Sequence, residues 1–360
     1  MNRGPLIGFK GDLITLQRME TPVIYFYAEQ PMNVDVDVDF PQGDITEWYP
    51  QTTQIGPTFA MDTNGSTSGI LHESRAIWRN LEIVPASKEY SSLTERLPQD
   101  SSGSHYFAAR ETGANLVRAN FNSPSNSTAE TEKFIFYRGA GSFNTPLHVT
   151  VNSNNLVTVE NTGANNLVHL FLVNIYGGHA AFGVMDELGS SNSVVWLQLT
   201  NGPAEHWNQF PLAQFQSEIG AQMEAALISE GLFSDEAKAM VNTWKDSWFT
   251  EEGVRVLYIL PRLWTDEILP LTLTPQPKEL TRVMVGRAEI ITPQVQASLS
   301  RLLAKAQEGD ADARLQVKAE LKQLGRFAEP ALQLAIKEAG QTNISNFGYQ
   351  LLYPTQSTFE

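Results

Sequence analysis

Residues 33–40 alternate polar and apolar without a break, Asn-Val-Asp-Val-Asp-Val-Asp-Phe. Successive side chains of a β-strand point to opposite faces. Val34, Val36, Val38 and Phe40 therefore share one face, and Asn33, Asp35, Asp37 and Asp39 share the other. A helix would mix the two sets, so the segment is expected to be a strand with one dry and one acidic side. Further strand patterns surround it at 22–27 (PVIYFY), 45–49, 76–84 and 133–137, the last closed by Gly139 and Gly141. Pro31, Pro41 and Pro50 punctuate them. Residues 106–119 read as a hairpin turning at Glu111-Thr112-Gly113. Residues 58–69, with Asn64-Gly65, read as a tight turn. Residues 98–104 and 122–131 are Ser-, Pro-, Asn- and Thr-rich and are expected to be loops.

From Pro146 the pattern becomes more regular. Segments 147–151, 156–159, 168–173, 181–185 and 194–199 are strand candidates, with Asn- and Gly-rich turns between them. Short strands at this spacing suggest a sandwich. Near residue 205 the period changes. Leu212, Phe215, Ile219, Met223 and Leu227 recur at three and four, which predicts an amphipathic helix ending at Gly231. Ser234 is the expected N-cap of a second helix, with Met240, Val241, Trp244 and Trp248 on one face. Residues 254–261 (VRVLYILP) read as a buried strand, and 280–291 as another. Thr292-Pro293 forms an N-cap and N1 pair that opens a helical tail. Helices there are expected to end at Gly309, Gly325 and Gly340.

The fold class these patterns predict is multidomain α+β: a β-sandwich-rich N-terminal half, an α+β segment and a C-terminal helical hairpin. The expected units are 1–145, a β-rich domain; 146–202, a sandwich-like segment that could form one unit with the first; 203–291, α+β; 292–340, helical; and 341–360, an extended tail. Two stretches add a resemblance. VTVENTGANNLVHLFLV, within about 146–200, resembles the strand–turn–strand elements of immunoglobulin-like sandwich domains in bacterial envelope proteins. LGRFAEPALQLAIKEAG, within about 310–340, resembles one half of a HEAT-type helical repeat. A solenoid needs about three such units, so a single one implies a capping hairpin.

Composition narrows the function classes. The 360-residue chain has a net charge of −15, which repels nucleic acid and anionic lipid, since both need a basic footprint. The absence of cysteine excludes disulfides, thiol catalysis and cysteine-based metal sites. Neither a signal-peptide core nor an apolar stretch of about 20 residues is present, so membrane insertion is not expected. The Asn, Thr, Ser and Gly content of the first half suggests an extracytoplasmic protein, periplasmic or secreted, though a cytoplasmic one remains open.

No catalytic motif stands out. The histidines show neither HxH nor HExxH spacing, and phosphate- and dinucleotide-binding glycine loops are missing. Asp35, Asp37 and Asp39 stand about 7 Å apart at a strand rise of ~3.3 Å per residue. They cannot converge alone on one calcium at about 2.3–2.6 Å. A solvated face that also guards a sheet edge is the simpler reading. Trp207, Trp244, Trp248 and Trp264, with Arg262, Asp266 and Glu267, are the candidate binding residues, because aromatics mixed with charges line sugar or peptide grooves. The helical spacing of Trp244 and Trp248 also suits core packing. A pocket is expected where the β half meets the α+β segment.

These readings point to a non-enzymatic binding or assembly module with no cofactor or metal and with a protein or glycan partner. The alternative is a glycan- or peptide-acting hydrolase with paired carboxylates at the β/α junction, drawn from Glu205, Glu251, Glu252, Asp266 and Glu267.

Overall fold

The alternating segment forms the strand Met32–Asp39, with Val34, Val36, Val38 and the following Phe40 buried. The computed structural model describes residues 17–18, 23–56, 73–85, 97, 105–120, 129–141, 143–152, 154, 156–198, 210–339 and 342–352. The expected turn at 58–69 and loop at 98–104 lie outside these residues. The fold is mixed α+β, with strands dominating the first half and helices the C-terminal part.

Met32–Asp39 is an interior strand. Arg75–Val84 pairs with one side of it and Leu271–Thr274 with the other, both antiparallel. The expectation of an acidic strand guarding a free edge is therefore corrected: a segment from far along the chain covers that edge. Gln54–Gly56, Leu116–Asn120 and Ala129–Glu132 complete this sheet. Ala129–Glu132 lies partly where a loop was expected. The anticipated hairpin at 106–119 also differs, since its first arm is the 3-10 helix His105–Arg110.

Opposite stands a smaller sheet in which Ile135–Gly141 pairs with Gly43–Tyr49, Gln17–Arg18 and Val23–Ile24. Gly139 lies inside this strand and Gly141 is its last residue, so only the second glycine closes it as expected. A Cβ on Gly141 would stand 2.5 Å from the Phe40 ring, and one on Gly139 would stand 2.3 Å from the Asp44 carbonyl oxygen. The glycines are there because another backbone and a phenyl ring approach the strand closely. Valines of the alternating strand, Trp78, Ile135 and Tyr137 fill the space between the sheets. Ile268 and Leu269 enter the same core, so the second half of the chain is built into the first.

A five-stranded antiparallel sheet forms the centre of the second part, in the order Phe210–Pro211, His179–Leu188, Leu167–Tyr176, Gly253–Ile259 and Val285–Ile290. It joins strands of the 146–202 and 203–291 segments. Leu170 and Leu172 face a three-stranded sheet of Leu147–Val151, Leu156–Asn161 and Ser193–Gln198. Phe171, Val173 and Ile175 face helices α1 (Leu212–Ser229) and α2 (Ser234–Phe249). Both faces of Leu167–Tyr176 are thus covered, which is why its apolar run is nearly continuous.

Helix α3 (Arg262–Ile268) leads to the Leu271–Thr274 strand. Helices α4 (Pro293–Gln307), α5 (Ala311–Leu324), α6 (Ala328–Ala339) and α7 (Thr342–Leu352) pack around their own core. Thr292 caps α4 as expected, accepting from the Val295 amide at 3.3 Å. The hairpin expectation is extended by α7, since 342–352 is helical rather than part of an extended arm. The Phe327 ring anchors this bundle on the central sheet. It lies against Gly253 and under the Arg255 guanidinium, 5.1 Å from ring centre to charge. Arg255 is fully buried and donates to the carbonyls of Ser247, Trp248 and Glu251 at the end of α2. Burial, with Arg287 adding repulsion, pushes its pKa down to about 9.

Candidate functional site

Residues 23–28 read Val-Ile-Tyr-Phe-Tyr-Ala, and only Val23–Ile24 joins a ladder. The rest joins no ladder and is held where the Asn115 backbone amide donates to the Phe26 carbonyl at 2.9 Å. This segment forms one wall of a cavity of about 900 Å³. Helix α2 forms the second wall, through Glu236, Met240, Thr243 and Trp244. Those positions stand at i, i+4, i+7 and i+8, one face of a helix. Residues 275–285 form the third wall. The cavity therefore lies between the N-terminal sheets and the α+β segment, where domain junctions favour clefts.

Hydrogen bonds tie the two sides together. The Tyr27 hydroxyl donates to Glu236 Oε1 at 2.9 Å and the Gly113 amide donates to Asp235, while within the N-terminal side the Tyr25 hydroxyl donates to the Ala109 carbonyl at 2.7 Å. Glu236 also accepts from the Phe233 amide at 2.9 Å. Phe233 is the N-cap residue of α2 and Ser234 the first helical one, one position earlier than expected. The Glu236 side chain does the capping instead, so Ser234 is not needed there.

The lining is strongly aromatic. Phe233 meets Tyr27 edge-on at 5.1 Å, and Tyr106 meets Trp244 edge-on at 6.0 Å. Trp244 stacks with Trp248 at 6.5 Å. Burial raises the Glu236 pKa, and the Asp235 charge adds to it, against the hydrogen bonds from Phe233 and Tyr27. Burial also raises the Tyr25 and Tyr27 phenols, with the Glu236 charge next in effect.

Trp244 and Trp248 line the cavity and are also core residues of the helix–sheet layer. Trp264 packs instead against Phe143, edge-on at 5.6 Å, between two cores. Asp266 is paired with Arg262 at 3.3 Å and with Arg282 at 2.6 Å. Glu267 and Arg262 are exposed on α3. The α3 group thus adjoins the cavity through Thr265 and Arg282 without forming its wall. Trp207 and Glu205 lie outside the described residues. Of the other carboxylates proposed for hydrolysis, Glu251 pairs with Arg287 at 2.8 Å, and Glu252 accepts from the Gly177 amide at 3.2 Å.

Sequence reasoning missed Tyr25, Tyr27, Tyr106, Phe233 and Glu236. The available signal was the pair of tyrosines in PVIYFY, amphipathic rings with one apolar and one polar end that suit the wall of a cleft. The acidic strand face is occupied by arginines. Arg79 reaches Asp37 at 2.9 Å and Asp35 at 3.5 Å, and Arg75 reaches Asp39 at 2.9 Å. Arg79 and Asn80 together oppose Asp35, a bulge in which Asn80 takes a φ of 55° and its amide donates to Asp35 Oδ1 at 2.7 Å.

His169, with a φ of 51°, places Nε2 3.1 Å from Ser229 Oγ and 3.4 Å from Glu230 Oε1. Both neighbours meet the same nitrogen, and Ser229 donates its proton to the Ala226 carbonyl, so this is no catalytic triad. Among the described residues no group of three or more metal-ligating side chains converges, and no helix is long and apolar enough to cross a membrane. Comparison with protein families, with curated proteins and with solved structures finds no match for this chain.

Proposed function

We propose that this protein is a non-enzymatic binding module whose ligand, or the apolar tip of a larger protein or glycan partner, enters the cavity between the N-terminal sheets and α2. The observation that carries this reading is the cavity of about 900 Å³ walled by Tyr27, Tyr106, Trp244 and Trp248. Its size and aromatic lining match those of small-molecule sites, which run to roughly 300–1,000 Å³. The hydrolase reading has less support, because Asp266 and Glu251 are engaged by arginines and Glu267 faces solvent.

The test uses Nile red, an uncharged apolar dye. Saturable one-to-one binding is expected, with quenching of tryptophan emission by energy transfer. Met240→Trp, which fills part of the cavity, should abolish the binding and leave the thermal midpoint nearly unchanged. Dye binding that is non-saturable, or that survives this substitution, would defeat the proposal.

A further inference from the structure

Glu236 is the unusual group in this cavity. It is 9% exposed, yet it is a carboxyl among aromatic rings. Among the described residues, the Phe233 amide, the Tyr27 hydroxyl and the Asp235 charge act on it, and none of these is cationic. Two hydrogen bonds occupy two of its roughly four lone-pair sites, so it keeps acceptor capacity. The basic residues of the wall are placed otherwise. Arg282 is committed to Asp266 and to the Leu269 carbonyl at 2.7 Å. Lys278 is exposed and adjoins Glu279 in the chain, and Glu29 on the opposite wall is exposed as well.

Around Glu236 stand the rings of Tyr27 and Phe233. Aromatic faces attract a desolvated cation, and a nearby carboxylate supplies the countercharge. Trp244 lies eight positions further along α2, about 12 Å at 1.5 Å per residue. The cavity thus has an acidic aromatic end and an apolar tryptophan end.

We infer that the cavity takes an amphiphilic ligand with an ammonium-type head at Glu236, Tyr27 and Phe233 and an apolar body reaching Trp244. This inference rests on the binding-module reading. An anionic head would meet Glu236 and Asp235 at the same end of α2, where like charges repel. The chain's net charge of −15 also favours the approach of cations over anions.

The experiment compares three probes with the same ten-carbon chain: decyltrimethylammonium and decyl sulfate, each below its micellar concentration, and decanol below its solubility limit. Displacement of Nile red reports their affinities. The expected result is that decyltrimethylammonium binds about tenfold tighter than decanol, and decyl sulfate weakest. Glu236→Gln should erase the preference for the cation, bringing the affinities of decyltrimethylammonium and decanol to within about twofold of each other. Should that variant fail to fold, Phe233→Leu, at a ring that is 58% exposed, should reduce the preference severalfold. Equal affinities for the three heads, or tightest binding of the sulfate, would overturn the inference while leaving the cavity's role intact. Failure of Nile red itself to bind would overturn both.

Discussion

Gly141→Ala is expected to be costly for a reason that involves no backbone strain. The residue is the last of the Ile135–Gly141 strand, and a Cβ there would lie 2.5 Å from Phe40 Cζ and 2.7 Å from the Gln42 carbonyl oxygen. At Gly139 the new methyl would instead meet the Asp44 carbonyl oxygen at 2.3 Å, with the Phe40 ring at 3.1 Å. Such overlap must be relieved by moving the ring or the facing strand, which typically costs about 1–3 kcal/mol. The two sites differ in what can yield. A shorter side chain at position 40 removes the nearest group from Gly141 and leaves the Gln42 carbonyl at 2.7 Å, whereas at Gly139 the nearest group, the Asp44 carbonyl at 2.3 Å, stays in place.

Phe40→Leu alone should therefore destabilise, by roughly 1–2 kcal/mol for lost packing. Combined with Gly141→Ala it should cost less than the sum by about 1 kcal/mol, whereas combined with Gly139→Ala the costs should add. Hydrogen exchange of the amides in Ile135–Gly141 gives the local free energy without assuming that all the cores unfold together. Free energies within about 0.5 kcal/mol of wild type for both alanine variants, or equal coupling at the two sites, would refute the close-approach argument.

Two further outcomes follow from the charged groups. Asp37→Ala removes a carboxylate shared by Arg75 and Arg79, with a side chain only 13% exposed, and should lower stability by about 1–2 kcal/mol. Asp39→Ala, at 35% exposure with Arg75 alone, should cost under about 1 kcal/mol, and added salt should shrink that cost further in thermal unfolding. Glu236 carries a pH dependence. Burial holds its folded pKa above the ordinary value of 4.5, so the fold favours the protonated form. The stability it contributes is complete below 4.5 and is lost as the pH rises through the raised folded value. Glu236→Gln cannot ionise, so its melting temperature should improve relative to wild type as the pH is raised from about 4 to about 8. A constant difference across that range would contradict the assignment.

Much of the local architecture was readable because it depends on side-chain direction alone. The valines of 33–40, the three-and-four spacing from Leu212 to Leu227 and the Thr292-Pro293 start each matched an element. Misreadings arose where a distant group changed the meaning of a residue. Gly139 reads as a terminator but lies inside the strand, where it makes room for the Asp44 backbone and the Phe40 ring. Ser234 looked like a cap but is displaced by Glu236 reaching back to Phe233. The tryptophans at 244 and 248 were picked out by residue type, while Tyr25 and Tyr27 looked like part of an ordinary buried strand.

By itself, the sequence determined the strongly periodic elements, the strand at 33–40 and the helices at 212–227 and from 293, and which of their faces are apolar, because those periods are set within a few residues. It also determined that Asp35, Asp37 and Asp39 share a face. Only the tertiary structure decided that Arg75 and Arg79 neutralise them and that Leu271–Thr274 covers their sheet edge. It likewise brought Tyr27 to Glu236 across 209 positions to form the cavity. Those choices depend on which distant surfaces bury each other, and no local pattern records that.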